Sequence, residues 1–188
     1  IVTTNILLNK MAKKDFEKQL GHPVADTDYV AASHILVRVN TDAQNPQNND
    51  KFWNDAKAKI DAILADIKSG KTTFEKAAQE NSDDGSKFQA GSLGITIRGK
   101  MVPEFDKVIF SAEKGKVSEP FKTQFGWHIA RVDRLGSELT GPEKGQVLEQ
   151  SLGRLTQNRL QEIMKMAKVD NKFPLPAQPR GGQMGAPN

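Results

Sequence analysis

The chain has 188 residues, 37% hydrophobic and 27% charged, with 27 basic residues against 23 acidic ones and no cysteine. This length fits one medium domain plus an accessory element, or one larger domain, and the lack of cysteine excludes disulfides, thiol nucleophiles and thiolate metal sites. The formal charge of +4 is spread as mixed charge. No window has the Lys/Arg density that a phosphate-tracking groove needs, so no nucleic-acid partner is expected.

Residues 5–20 carry Leu8, Met11, Ala12, Phe16 and Leu20 at helical spacing among lysines, an amphipathic helix that Gly21-His22-Pro23 ends. A strand is predicted over residues 30–39 and a polar, breaker-rich loop over 40–50. Residues 51–69 form the best-patterned helix, with Ala56, Ile60, Ile63, Leu64 and Ile67 on one stripe and Gly70 at the C-terminal cap. Thr72 followed by Glu75 reads as a capping box for a helix over 73–81. Ser82-Asp83-Asp84-Gly85-Ser86 breaks that helix, and a glycine-flanked strand follows at 93–97. Pro103 opens a short helix to about residue 111. Strands are expected at 117–123 and 127–134, joined by a tight turn at Phe125-Gly126. Residues 143–168 make a long amphipathic helix, weakened by Gly145 and Gly153 by roughly 1 kcal/mol each relative to alanine. After Phe173 the composition turns to proline, glycine and glutamine, and a disordered tail is expected. Few strands with mostly helical connections predict an α+β fold, a small antiparallel or mixed sheet with helices packed on it.

The mean hydropathy of −0.57 indicates much solvated surface, and no apolar run approaches the roughly 18 residues that span a bilayer. The chain begins at Ile1, so removal of an upstream signal peptide is expected. Neither a phosphate loop nor a dinucleotide glycine motif is present, and His22, His34 and His128 lack metal-site spacing, so no cofactor and no metal are expected. The informative segments are Ser33-His34-Ile35-Leu36-Val37 and Phe125-Gly126-Trp127-His128-Ile129, each setting a histidine on a buried strand. Ser33 and His34 point to opposite faces of such a strand, which rules out a hydrolase pair.

Seven motifs follow in order between residues 31 and 134, a little over half of the chain. They are Ser33-His34-Ile35-Leu36-Val37, Gly70-x-x-x-Phe74-Glu75-x-x-Ala78, Asn81-Ser82-Asp83, Gly91-Ser92-Leu93-Gly94, Met101-Val102-Pro103-Glu104-Phe105, Lys114-Gly115-Lys116-Val117-Ser118-Glu119-Pro120 and Phe125-Gly126-Trp127-His128-Ile129. This series resembles the parvulin family of peptidyl-prolyl cis/trans isomerases, of the secreted bacterial foldase kind.

The resemblance implies a four-stranded, mostly antiparallel sheet covered by about four helices, plus flanking helices. It implies a proline pocket of Leu93, Met101 and Phe105, paired histidines His34 and His128 in its floor, Asp84 near the substrate carbonyl and Thr123 bonded into the pair. Read alone, Leu93, Met101 and Phe105 fit an ordinary core, the histidines fit satisfied buried residues, Asp84 fits a helix-ending turn, and Phe125 fits either pocket rim or turn packing.

Two departures from the family pattern stand out. Ser92, Ile95 and Thr96 replace an acidic residue and an aromatic around the Leu-Gly turn, leaving one pocket wall open to question. The loop after the first strand has no arginine pair, so no preference for phosphoserine- or phosphothreonine-proline is expected.

The expected organisation is an N-terminal helical segment at 1–30 (part of a chaperone-like module), an isomerase domain at 31–136, a long helix at 137–172 and a tail at 173–188. The helices alternatively just cover the sheet or pair in a dimer. The implied activity is Xaa-Pro isomerisation in the folding of exported proteins, or, alternatively, weakly catalytic or non-catalytic holding of peptides in the same groove. The implied partners are unfolded or proline-containing polypeptides outside the cytoplasm, with membrane association only through an upstream segment.

Overall fold

The computed structural model describes residues 2–41 and 49–166; the tail expected at 173–188 and most of the loop expected at 40–50 lie outside them. In chain order the elements are α1 (Val2–Leu20), β1 (Tyr29–Arg38), α2 (Asn49–Lys68), α3 (Phe74–Asn81), β2 (Ser92–Ile97), α4 (Pro103–Ile109), β3 (Phe121–Thr123), β4 (Gly126–Leu135) and α5 (Gly141–Met166). The sheet order is β2-β1-β4-β3, antiparallel at every pairing, so the expected α+β architecture is the observed one.

The two central strands, β1 and β4, alternate between two cores. On one face Ile35, Val37 and Ile129 pack against Ala56, Ile60, Ile63 and Leu64 of α2 and Phe74, Ala77 and Ala78 of α3. Trp127 lies on this face, and its Nε1–H donates to the Trp53 carbonyl at 3.1 Å. On the other face Val30, Ala32, Ala130 and Val132 pack against Phe105 and Ile109 of α4. Ser33 and His34 separate as the pleat demands. The Ser33 hydroxyl donates to Asp133 Oδ2 at 2.5 Å on the α2–α3 face, while His34 turns to the α4 face.

A third cluster joins the flanks to the sheet: Ala12 and Phe16 of α1 meet Val147 and Leu152 of α5 over Tyr29, Ile97 and Leu139. Between the two helices the Thr156 hydroxyl donates to Asn9 Oδ1 at 3.2 Å. Ile95 also packs into this cluster, whereas Leu93 packs on the α4 side. Regular alternation would put both on one face; the register shift where β2 passes Ala32 and Ser33 separates them.

Two sequence expectations need correction. The cap of α3 is Thr73, not Thr72: the Thr73 hydroxyl accepts the Lys76 N–H at 3.2 Å. Thr72 still belongs to the turn closing α2, its N–H donating to the Asp66 carbonyl, and Glu75 reaches Arg131 at 2.8 Å instead of closing a capping box. The strand expected at 117–123 shortens to Phe121–Thr123. Pro120 has no N–H for a ladder, and Ser118 substitutes its hydroxyl for a backbone acceptor, taking the Ala130 N–H at 3.0 Å.

A Cβ added at Gly145 or Gly153 of α5 would meet nothing within 4 Å. Gly145→Ala and Gly153→Ala are therefore each expected to raise stability by about 1 kcal/mol, read as a higher urea midpoint at unchanged slope. A lowered midpoint would show that α5 needs these glycines for packing.

Candidate active site

Antiparallel pairing sets Leu36 opposite His128 and Ala130 opposite His34, so the two histidines are diagonal neighbours on the α4 face. Their rings stack 5.5 Å apart at 21°, and Phe105 of α4 meets both edge-on at 5.5 and 5.6 Å. Both are almost inaccessible, 5% exposed at His34 and 3% at His128. Buried imidazoles need partners, and these have a connected set. His34 Nδ1 lies 3.3 Å from His128 Nδ1, His128 Nε2 lies 2.8 Å from Thr123 Oγ1, and the Phe125 N–H donates to that hydroxyl at 3.1 Å. At the other end His34 Nε2 lies 3.1 Å from Asp84 Oδ1, off the axis of a good hydrogen bond.

The partners fix the direction of the chain. An ionised carboxylate only accepts, so His34 carries its proton on Nε2 and leaves Nδ1 as an acceptor. His128 must then donate from Nδ1, and its bare Nε2 accepts the Thr123 O–H. The same hydroxyl oxygen accepts from Phe125. Every nitrogen is assigned with both rings neutral.

Above this floor lies a cavity of about 350 Å³ with mostly apolar walls, bounded by Leu93, Met101, Val102, Phe105 and Phe125. Of the residues predicted from sequence, all line it except Thr123, which sits behind His128 and orients it. Phe125, 44% exposed, is both rim and turn. Asp84 likewise does two jobs. Its carboxylate caps the 3-10 turn Gly85–Gln89, accepting the Ser86 N–H at 2.9 Å, and it faces His34.

Two glycines make these approaches possible. At Gly91 (φ 85°) the carbonyl accepts the His34 N–H at 2.8 Å, and a Cβ would stand 2.6 Å from the His34 carbonyl oxygen. At Gly126 a Cβ would overlap the Val37 carbonyl on the neighbouring strand.

Residues 34–134 match the rotamase family model, described as the PPIC-type PPIase domain. The chain belongs to this family. It is 32% identical over 150 residues to "Chaperone SurA" of Saccharophagus degradans, covering 76% of this chain and 33% of that protein. It is 33% identical over 148 residues to "Foldase protein PrsA" of Staphylococcus epidermidis, covering 75% and 45%. The crystal structure of PrsA from Bacillus subtilis aligns with a TM-score of 0.48 at 28% identity, covering 89% of this chain and 62% of that one. The chain thus spans between a third and a half of the two curated relatives.

In this rotamase domain the charges follow the geometry. Burial pushes both histidines below the ordinary imidazole range, His128 to about 4, with the neighbouring His34 pressing in the same direction; for His34 the nearby Asp84 works against burial. Partial burial opposes ionisation of Asp84, but Ser86 and His34 outweigh it and hold the carboxyl well below the usual range. Among the described residues no cluster of acids and histidines could hold a metal, and no helix is long and apolar enough to cross a membrane.

The sequence reading missed Phe121, which lies directly opposite His128, stacks on it at 5.4 Å and 17°, and meets Phe105 edge-on at 5.5 Å. It also missed Leu36, Arg38, Lys100 and Val102 in the cavity wall. Period-two spacing carried the signal: Phe121 is two residues from Thr123, and Leu36 and Arg38 continue the His34 face of β1.

Because the folded His128 pKa is depressed, the unfolded chain binds more protons as pH falls. Stability should be full above about pH 6.5 and be lost progressively down to about pH 4, by on the order of 3 kcal/mol. Urea unfolding of the native chain and of His128→Gln across pH 4–7 checks this. The slope attributable to this site should flatten in the variant, and an equally steep loss in both would place the acid sensitivity elsewhere.

Proposed function

We propose that this domain accelerates Xaa-Pro isomerisation without a covalent intermediate, by seating the proline ring among Leu93, Met101 and Phe105 while Asp84 faces the preceding carbonyl. Rotation about the bond meets a barrier of about 18–20 kcal/mol because amide resonance is lost. The planar amide is the more charge-separated state, with negative charge on its oxygen. A dry pocket, with a carboxylate beside that oxygen, disfavours the planar form relative to the twisted one. The observation that carries this reading is an apolar cavity floored by two neutral histidines, with a single ionised carboxylate at its lip. His34, His128 and Thr123 act by holding the floor and Asp84 in place.

Exchange NMR on Xaa-Pro peptides tests it. Met101→Ala should lower kcat/KM by about 100-fold and Asp84→Asn by about tenfold, roughly 2.7 and 1.4 kcal/mol of lost transition-state stabilisation. Unchanged rates in both variants would overturn the reading. Phosphorylating the residue before proline should bring no large gain.

We assign the clients to exported polypeptides folding outside the cytoplasm, on the strength of the resemblance to secreted foldases and of the names of the chaperone and foldase relatives. A holding activity in the paired α1 and α5 helices, within segments 1–30 and 137–172, has its own support. Leu7 (58% exposed) and Leu160 (37%) stay open to solvent, each within four residues of the Asn9–Thr156 contact between the helices. The Leu7→Asp, Leu160→Asp chain should suppress client aggregation less while isomerising peptides as before. Equal suppression would show that the helical pair holds no clients.

A further inference from the structure

Three consecutive residues, Lys100, Met101 and Val102, form one wall of the cavity, yet they belong to neither a strand nor a helix. Something other than a ladder must fix their shape. The loop leaves β2 at Arg98, whose N–H donates to the Asp28 carbonyl at 2.8 Å and whose Nε–H donates to Asp28 Oδ1 at 3.1 Å. The Arg98 guanidinium also lies 4.3 Å from the Phe110 ring centre. This anchors only the start of the loop.

Beyond it the Lys100 N–H donates to the Ile97 carbonyl at 3.2 Å, and one side chain takes the two amides on either side. Asp106 Oδ2 accepts the Gly99 N–H at 2.5 Å, and Asp106 Oδ1 accepts the Met101 N–H at 3.3 Å. Asp106 follows Phe105 on α4, so the carboxylate that grips the Met101 backbone is tied to an aromatic that lines the same cavity as Met101. Burial pushes the Asp106 carboxyl above the ordinary range, and the two amides and Arg98 only partly offset it. A carboxylate in a position that disfavours its charge needs a reason beyond helix stability.

We propose that Asp106 is a positioning residue for isomerisation: it clamps the 99–101 loop so that Met101 closes the proline pocket against Phe105. The proposal rests on the isomerase reading above and adds to it the group that sets the pocket's width. Asp106 touches no substrate; it acts through Met101.

A merely structural Asp106, serving the first turn of α4, would lower stability without depending on Met101. A double-mutant cycle in the full chain separates the two roles. Peptide kcat/KM and peptide affinity are measured for the native chain, Asp106→Ala, Met101→Ala and the double variant, well below their unfolding temperatures. The expected result is about a tenfold loss in kcat/KM for Asp106→Ala, with the double variant within twofold of Met101→Ala alone. Asp106→Asn, which preserves size and one acceptor oxygen, should fall between the native chain and Asp106→Ala and serves where the alanine variant does not fold. A loss for Asp106→Ala that persists undiminished in the Met101→Ala background, or no loss at all, would overturn the proposal. If the native chain neither isomerises nor binds proline peptides, the isomerase reading itself fails and this inference falls with it.

Discussion

Everything at this site depends on two imidazoles that must stay neutral while stacked in a nearly dry interior. A charged ring there would lose most of its hydration and face a second ring 5.5 Å away. The protein avoids that with one directional chain from the Phe125 amide through Thr123 and His128 to His34 Nδ1, and it sets the Asp84 carboxylate 3.1 Å from His34 Nε2 at the other end. A buried imidazole pair without such contacts would be worse than an apolar floor; here the one carboxylate lining the cavity stands beside His34 Nε2, where solvent begins.

The fold exists around that constraint. Antiparallel pairing of β1 with β4 makes the histidines diagonal neighbours, and the short β3 adds Thr123 and Phe121 from the next strand over. Gly91 lets the turn before β2 come within hydrogen-bonding distance of His34, which brings Leu93 to the cavity. The helix α4 then covers the pair with Phe105 and carries, one residue later, the carboxylate that holds the Gly99 and Met101 amides. The opposite face of the sheet, packed on α2 and α3, supplies rigidity rather than chemistry.

Much of this was legible in the sequence because the signals were local or periodic. His34 and His128 stood on apolar strands, Gly70 and Pro103 punctuated helices, and the motif order pointed to the isomerase family. What was not legible came from competition between neighbours. Thr72 and Thr73 are both plausible caps, and only the Thr72 amide's bond to Asp66 in the preceding turn decides between them. Residues 117–120 have the composition of a strand, but Pro120 and the Ser118 hydroxyl break its ladder. Ile95 was read as a weakened pocket wall; the register shift in β2 sends it to the flanking helices, and Phe125, Val102 and Met101 complete the enclosure. Asp106 and Phe121 carry no motif of their own, since their importance lies in which backbone or ring the fold brings to them.

The protonation of the two rings is read most directly from the nitrogen-15 NMR spectrum of the histidine side chains in the intact chain at neutral pH. Two neutral rings in opposite tautomers are expected, His34 protonated on Nε2 and His128 on Nδ1. A shared tautomer, or an imidazolium at either position, would contradict the hydrogen-bond chain and the neutral pocket floor built on it.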